Sequence, residues 1–185
     1  MRFQNADLVF ARDTLVTIVR AVAIKRAIEA SKPHPTATFW HVINGGLFDT
    51  AIVDWCILFG SDNPDQQRLH WKNMFDADEF RTGLLAALGM SREAFAEYRE
   101  VLKTYRDENA AHRDLDPKTE TYPNMDVALE CCFFYFERLT ERFTEAYPAR
   151  ENPDLRLEYE RNFAAFSRIA EVAVAATRDS HLLGG

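Results

Sequence analysis

A chain of 185 residues, 47% hydrophobic and 28% charged, has the length and usage of one globular domain, and this excludes a disordered or fibrous chain. The formal net charge of −7 argues against a broad nonspecific nucleic-acid surface, which would need clustered Lys and Arg. DNA binding is therefore not expected, although a small basic site at a cleft stays compatible with the total.

The three cysteines, Cys56, Cys131 and Cys132, leave one thiol over in any disulfide scheme, and two of them are adjacent. All three lie in apolar stretches, which predicts reduced core residues and a cytoplasmic protein. The segment Met1 to Asp7 lacks the apolar block of a secretory signal. The greasiest runs, Ala51 to Phe59 and Ala128 to Phe136, are broken by Asp54 and Glu130, and neither reaches the ~20 apolar residues of a membrane span. No membrane association is expected.

In chain order, Leu8, Leu15, Val19 and Val22 recur at helical spacing and predict an amphipathic helix over Ala6 to Ser31. Two prolines before Thr36 break it. A second helix is expected from Thr36 or Thr38 to Phe59 and stopped by Gly60, with Asn44-Gly45-Gly46 as a kink or a point of close approach. After a polar, turn-rich stretch with a short helix begun by Asn63-Pro64, Asp76 or Asp78 caps a helix that Gly89 closes. Ser91 caps the next helix, whose stripe Phe95, Tyr98, Leu102, Tyr105 continues to Asn109 and His112 before Asp116-Pro117 ends it. From Asn124 to Tyr147 the chain is apolar on most sides, as suits a helix at a bundle centre. The last helix opens at Asn152-Pro153 with Leu155, Tyr159, Phe163, Phe166, Ile169 and Ala173 on one face. These elements predict an all-α fold, an up-and-down bundle of about five long helices forming a single domain over residues 1–185.

The segment Tyr105-Arg106-Asp107-Glu108-Asn109-Ala110-Ala111-His112-Arg113-Asp114-Leu115-Asp116 is the one that suggests chemistry. Arg106 and His112 are separated by five residues, a polar residue follows the arginine, and a helix break comes next. This resembles the Arg-x(4–6)-His signature of the HEPN superfamily, in particular its abortive-infection and toxin–antitoxin members. The resemblance implies a HEPN-like helical bundle, a homodimer, and a metal-independent endoribonuclease or toxin-like RNA-binding domain. It also implies an RNA substrate and, as a possible partner, a nucleotidyltransferase-like antitoxin. Arg106, His112 and Asn109 would then be the catalytic residues, with Arg113 and Tyr105 contacting substrate.

The residue types suit that reaction. A neutral histidine takes the 2′-hydroxyl proton near neutral pH, and a permanently charged guanidinium stabilises the crowded phosphorane with two-pronged geometry. Six helical steps place Arg106 and His112 about 120° apart on a straight helix. Either the helix unwinds before His112, or His112 acts with Arg106 of a second chain. The competing reading is a hydrogen-bonded histidine at a helix C-terminus in a non-catalytic interaction module, favoured by the negative charge of Asp107, Glu108, Asp114 and Asp116. A third is a bundle whose aromatics line a small-ligand cavity.

Other features point to structure. Trp40, Trp55 and Trp71 are expected in the core or at an interface. Asp54, a carboxylate among apolar residues, needs a partner, for which His70 or backbone groups are candidates. Glu-x-x-His, His-Glu-x-x-His and Gly-rich phosphate-loop patterns are absent, so neither a metal nor a cofactor is expected.

Overall fold

The computed structural model describes residues 5–32, 34–36, 38–60, 67–110, 122–146 and 153–177. Of these, 86% are helical and none forms a strand. Seven α-helices are present among the described residues: α1 (Asn5–Ala30), α2 (Thr38–Trp55), α3 (Trp71–Met74), α4 (Ala77–Leu88), α5 (Arg92–Tyr105), α6 (Asp126–Ala146) and α7 (Leu155–Thr177). Two of them widen into single π-helical turns at their C-terminal ends, α2 over Cys56–Gly60 and α5 over Arg106–Ala110.

The helix ends follow local chemistry. The Asp76 carboxylate accepts from the backbone N–H groups of Asp78 and Glu79 at 3.1 and 2.9 Å and starts α4. Gly89 closes that helix at φ 61°, a left-handed conformation that costs glycine little. Ser91 Oγ accepts from Ala94 N at 3.1 Å, and Asp154 Oδ1 from Arg156 N at 2.9 Å, at the starts of α5 and α7. The Asn63-Pro64 helix start falls outside the described residues. Gly45-Gly46 causes no interruption, and α2 runs through both.

α1 is the organising helix, packing against α2, α6 and α7. Its predicted stripe of Leu8, Leu15, Val19 and Val22 is fully buried, together with Ile18. α6 supplies Ala128, Cys131, Cys132, Tyr135 and Leu139 to the same core, while its Phe133 and Phe134 remain partly exposed and Glu137 is exposed. So α6 has an inner and an outer face, and α1 shares the centre with it. The aromatics fill the interior by stacking on one another: Trp55 on Phe59, Trp71 on Phe80, and Phe59 edge-on to Tyr135. A second, smaller core joins Ala27, Ile28 and Ala170 with Trp40, Phe163 and Phe166.

One expectation is corrected by the packing of α7. On α7 the buried seam passes from Phe166 to Ala170 and Val174, and Ile169 is 63% exposed. The Thr38–Gly60 helix, with a mean hydropathy of 1.5, is long and apolar enough to cross a membrane by length and composition alone. Its C-terminal half carries Phe48, Ala51, Ile52, Trp55 and Leu58 into the protein core, whereas Phe39, Val42 and Ile43 face outward.

Candidate active site at the end of α5

α5 is built by an amphipathic stripe. Leu102 and Tyr105 are buried, with Phe95 and Tyr98 packed against the core beside them. Tyr98 fixes the helix to the start of α6, donating its hydroxyl to Asn124 O at 2.8 Å and accepting from Ala128 N at 3.0 Å. Tyr105 fixes it to α2, donating to Asp49 Oδ1 at 2.9 Å with its ring edge-on to Phe48. Burial, and then the Asp49 carboxylate, hold the Tyr105 phenol well above its ordinary pKa. Of the sequence-predicted substrate-contact residues, Tyr105 is thus only 5% exposed with its hydroxyl engaged, and Arg113 lies outside the described residues.

Directly after Tyr105 the helix widens into the π turn that carries Arg106 and Asn109. Such turns often mark functional positions. The π turn loosens the helix locally within Arg106–Ala110; His112, before which the helix was expected to unwind, lies outside the described residues. Arg106 is half-buried and donates from Nε and Nη2 to Asp107 Oδ1 at 2.8 and 2.7 Å. Burial alone would lower its pKa, but Asp107 and the neighbouring Cys56 thiol outweigh burial and raise it. The guanidinium stays charged. Asn109 does not reach Arg106. Its Nδ2 is buried and finds no acceptor among the described residues.

Arg106 lines a cleft of about 370 Å³ with Lys103, Gln67, Val53, Cys56 and Gly60. Lys103 donates to both carboxylate oxygens of Glu100, at 3.1 and 3.3 Å. Burial pushes the Cys56 thiol up to about 11, although Arg106 pulls the other way, so the thiol is protonated at neutral pH. The cleft therefore offers two cations, each shared with a carboxylate of its own helix. The sequence gives no signal that α2 would supply Cys56 and Asp49 to this region, because both pairings bridge distant segments.

The Asp54–His70 pairing does not form. His70 caps α3, its Nδ1 accepting from Lys72 N at 3.3 Å. Asp54 has no hydrogen-bond or ion-pair partner among the described residues, and burial raises its carboxyl pKa. Trp55 and Trp71 are core residues, and Trp40 donates from Nε1 to Thr177 Oγ1 at 2.8 Å, tying α2 to α7. Among the described residues no group of His, Cys, Asp and Glu is arranged to hold a metal ion.

Fold and site together define an all-α helical protein with a cationic cleft at a π turn. No protein-family model, curated protein or solved structure matches the chain.

Proposed function

We propose that this is a metal-independent endoribonuclease, or a toxin-like RNA-binding domain, of the HEPN type, acting as a homodimer. The observation that carries the reading is Arg106: a half-buried, permanently charged guanidinium at a cleft, on a helix that changes its winding six residues before His112. In this reading His112 takes the proton from a ribose 2′-hydroxyl. The freed oxygen attacks the adjacent phosphorus and the 5′-oxygen leaves, taking a proton. The products are a 2′,3′-cyclic phosphate and a 5′-hydroxyl. Arg106 stabilises the extra charge on the phosphorane, and Asn109 contributes an amide N–H that finds no acceptor among the described residues.

Purified protein is expected to cleave single-stranded RNA in the presence of chelator, leaving cyclic-phosphate ends. Arg106→Ala and His112→Ala should each reduce the rate by ~10²–10⁴ while circular dichroism stays unchanged. A wild type inactive on varied RNAs, with a destabilised His112→Ala, would overturn the reading.

The second reading, a non-catalytic interaction module, is favoured by the Arg106–Asp107 and Lys103–Glu100 pairs, which compete with a phosphate for both cations. Outward-facing Phe39, Val42 and Ile43 on α2 also suit a partner, whether a second copy or a nucleotidyltransferase-like antitoxin.

A further inference from the structure

Farther along α2 from the Arg106 cleft, at Gly45 and Phe48, stands an aromatic ring that the core does not consume. Tyr122 is 55% exposed, yet it is held on several sides. Its ring meets Phe48 at 4.7 Å and 66°, and lies 6.0 Å from Tyr105. Lys25, itself 8% exposed and paired with Glu29, places its ammonium 5.1 Å from the ring centroid. The hydroxyl end lies against Gly45 of α2, 3.6 Å from where a Cβ would stand. An exposed tyrosine ordinarily moves among rotamers, and immobilising one on binding costs entropy. Here aromatic packing and a cation–π contact have already fixed the ring before any ligand arrives.

The placement relative to Arg106 gives this ring a use. α2 acts as a ruler: Tyr122 packs at Gly45 and Phe48, Tyr105 at Phe48 and Asp49, and Arg106 at Val53 and Cys56. From residue 48 to residue 56 the helix rises about 12 Å, at ~1.5 Å per residue. That length matches a few stacked nucleotides at ~3.4 Å each.

We propose that Tyr122 is a stacking platform for an unpaired nucleobase a few nucleotides from the phosphate held by Arg106, so that the site selects single-stranded RNA. This rests on the RNA reading of the Arg106 site. Stacking on an aromatic face accepts any base and contributes ~1–3 kcal/mol per base, so the platform confers a preference for single strands rather than a sequence preference. A base inside a duplex has both faces covered and cannot use it.

The test is binding of a short, mixed-sequence 2′-O-methyl RNA, which lacks the attacking hydroxyl, measured by fluorescence anisotropy on the full chain. Tyr122→Phe keeps the ring and should bind within about threefold of wild type. Tyr122→Leu should bind about 5- to 150-fold more weakly, the range that loss of one stacked base implies. The same strand annealed to its complement should compete poorly with the single strand. Leu binding as tightly as wild type, or duplex competing equally, would overturn the platform. If wild type cleaves RNA while Tyr122→Leu binds and cleaves normally, the platform falls and the nuclease reading stands. Binding that depends on the ring without any cleavage leaves the platform standing and removes the nuclease. A wild type that neither binds nor cleaves removes both.

Discussion

Tyr105 donates its hydroxyl to Asp49 Oδ1 at 2.9 Å, and this contact joins the last α turn of α5 to the middle of α2. The residue that follows is Arg106, so the position of the guanidinium depends on a hydrogen bond made one residue earlier. The bond sits beside the Phe48 and Tyr122 rings and is partly buried. Tyr105→Phe would leave Asp49 short of a donor in that setting, and the expected loss is about 1–2 kcal/mol in a denaturant titration. If Arg106 acts on RNA, the variant should also lose activity beyond its loss of folded fraction. An activity that simply tracks the folded fraction would show the bond to be structural only.

Alkaline pH should unfold the protein through its buried phenols. Burial raises the pKa values of Tyr98, Tyr105 and Tyr135 above the ordinary 10.0. A group whose folded pKa is raised holds its proton more tightly in the native state. Its contribution is fully present below pH ~10 and is lost as pH climbs toward the folded value. Stability should therefore fall progressively above pH ~10. An ultraviolet titration should show these three of the six tyrosines ionising together with unfolding rather than in the native state.

Asp54 follows the same rule at lower pH. Its half-buried carboxylate has no partner among the described residues, and burial raises its pKa, so ionisation at neutral pH disfavours the native state. Asp54→Asn should raise the unfolding midpoint at pH 7. The gain should shrink as pH falls toward the acid range, where the wild-type carboxyl is protonated and the penalty disappears. An Asp54→Asn variant less stable than wild type at pH 7 would reveal a functional or binding partner for this carboxylate.

The homodimer proposal makes a geometric forecast. A two-fold interface contacts itself with the same patch, and productive pairing of Arg106 with His112 of a second chain places both motifs near the axis. Light scattering should give the dimer mass. A spin label on Glu108→Cys, a partly exposed position of the π turn, should report a short distance between chains. Monomers at high concentration, or labels on opposite outer faces of the dimer, would end the cross-chain arrangement.

Features that depend on neighbours within a turn or two were readable from the residues alone. Asp76 and Ser91 accept hydrogen bonds from backbone groups two or three residues ahead, and Gly89 supplies the left-handed residue that ends α4. The α1 stripe repeats at helical spacing, and the all-α fold was legible from such periodicity. The tertiary structure decided what depends on residues far apart in the chain. Gly45-Gly46 weakens a helix locally, yet α2 continues through it, with Phe48, Ala51 and Ile52 anchored in the core just beyond. Ile169 and Ala170 fit a helical stripe equally well within the drift of a 3.6-residue period. The approach of α1 selected Ala170 and left Ile169 in solvent. The Arg-x5-His spacing was visible in the sequence, but the cleft around Arg106 was not. Cys56 and Lys103 come from helices 47 residues apart in the chain, and Asp49 and Tyr105 are separated by 56. No local pattern encodes such pairings, because they exist only once the packing of α2 against α5 has set which faces meet.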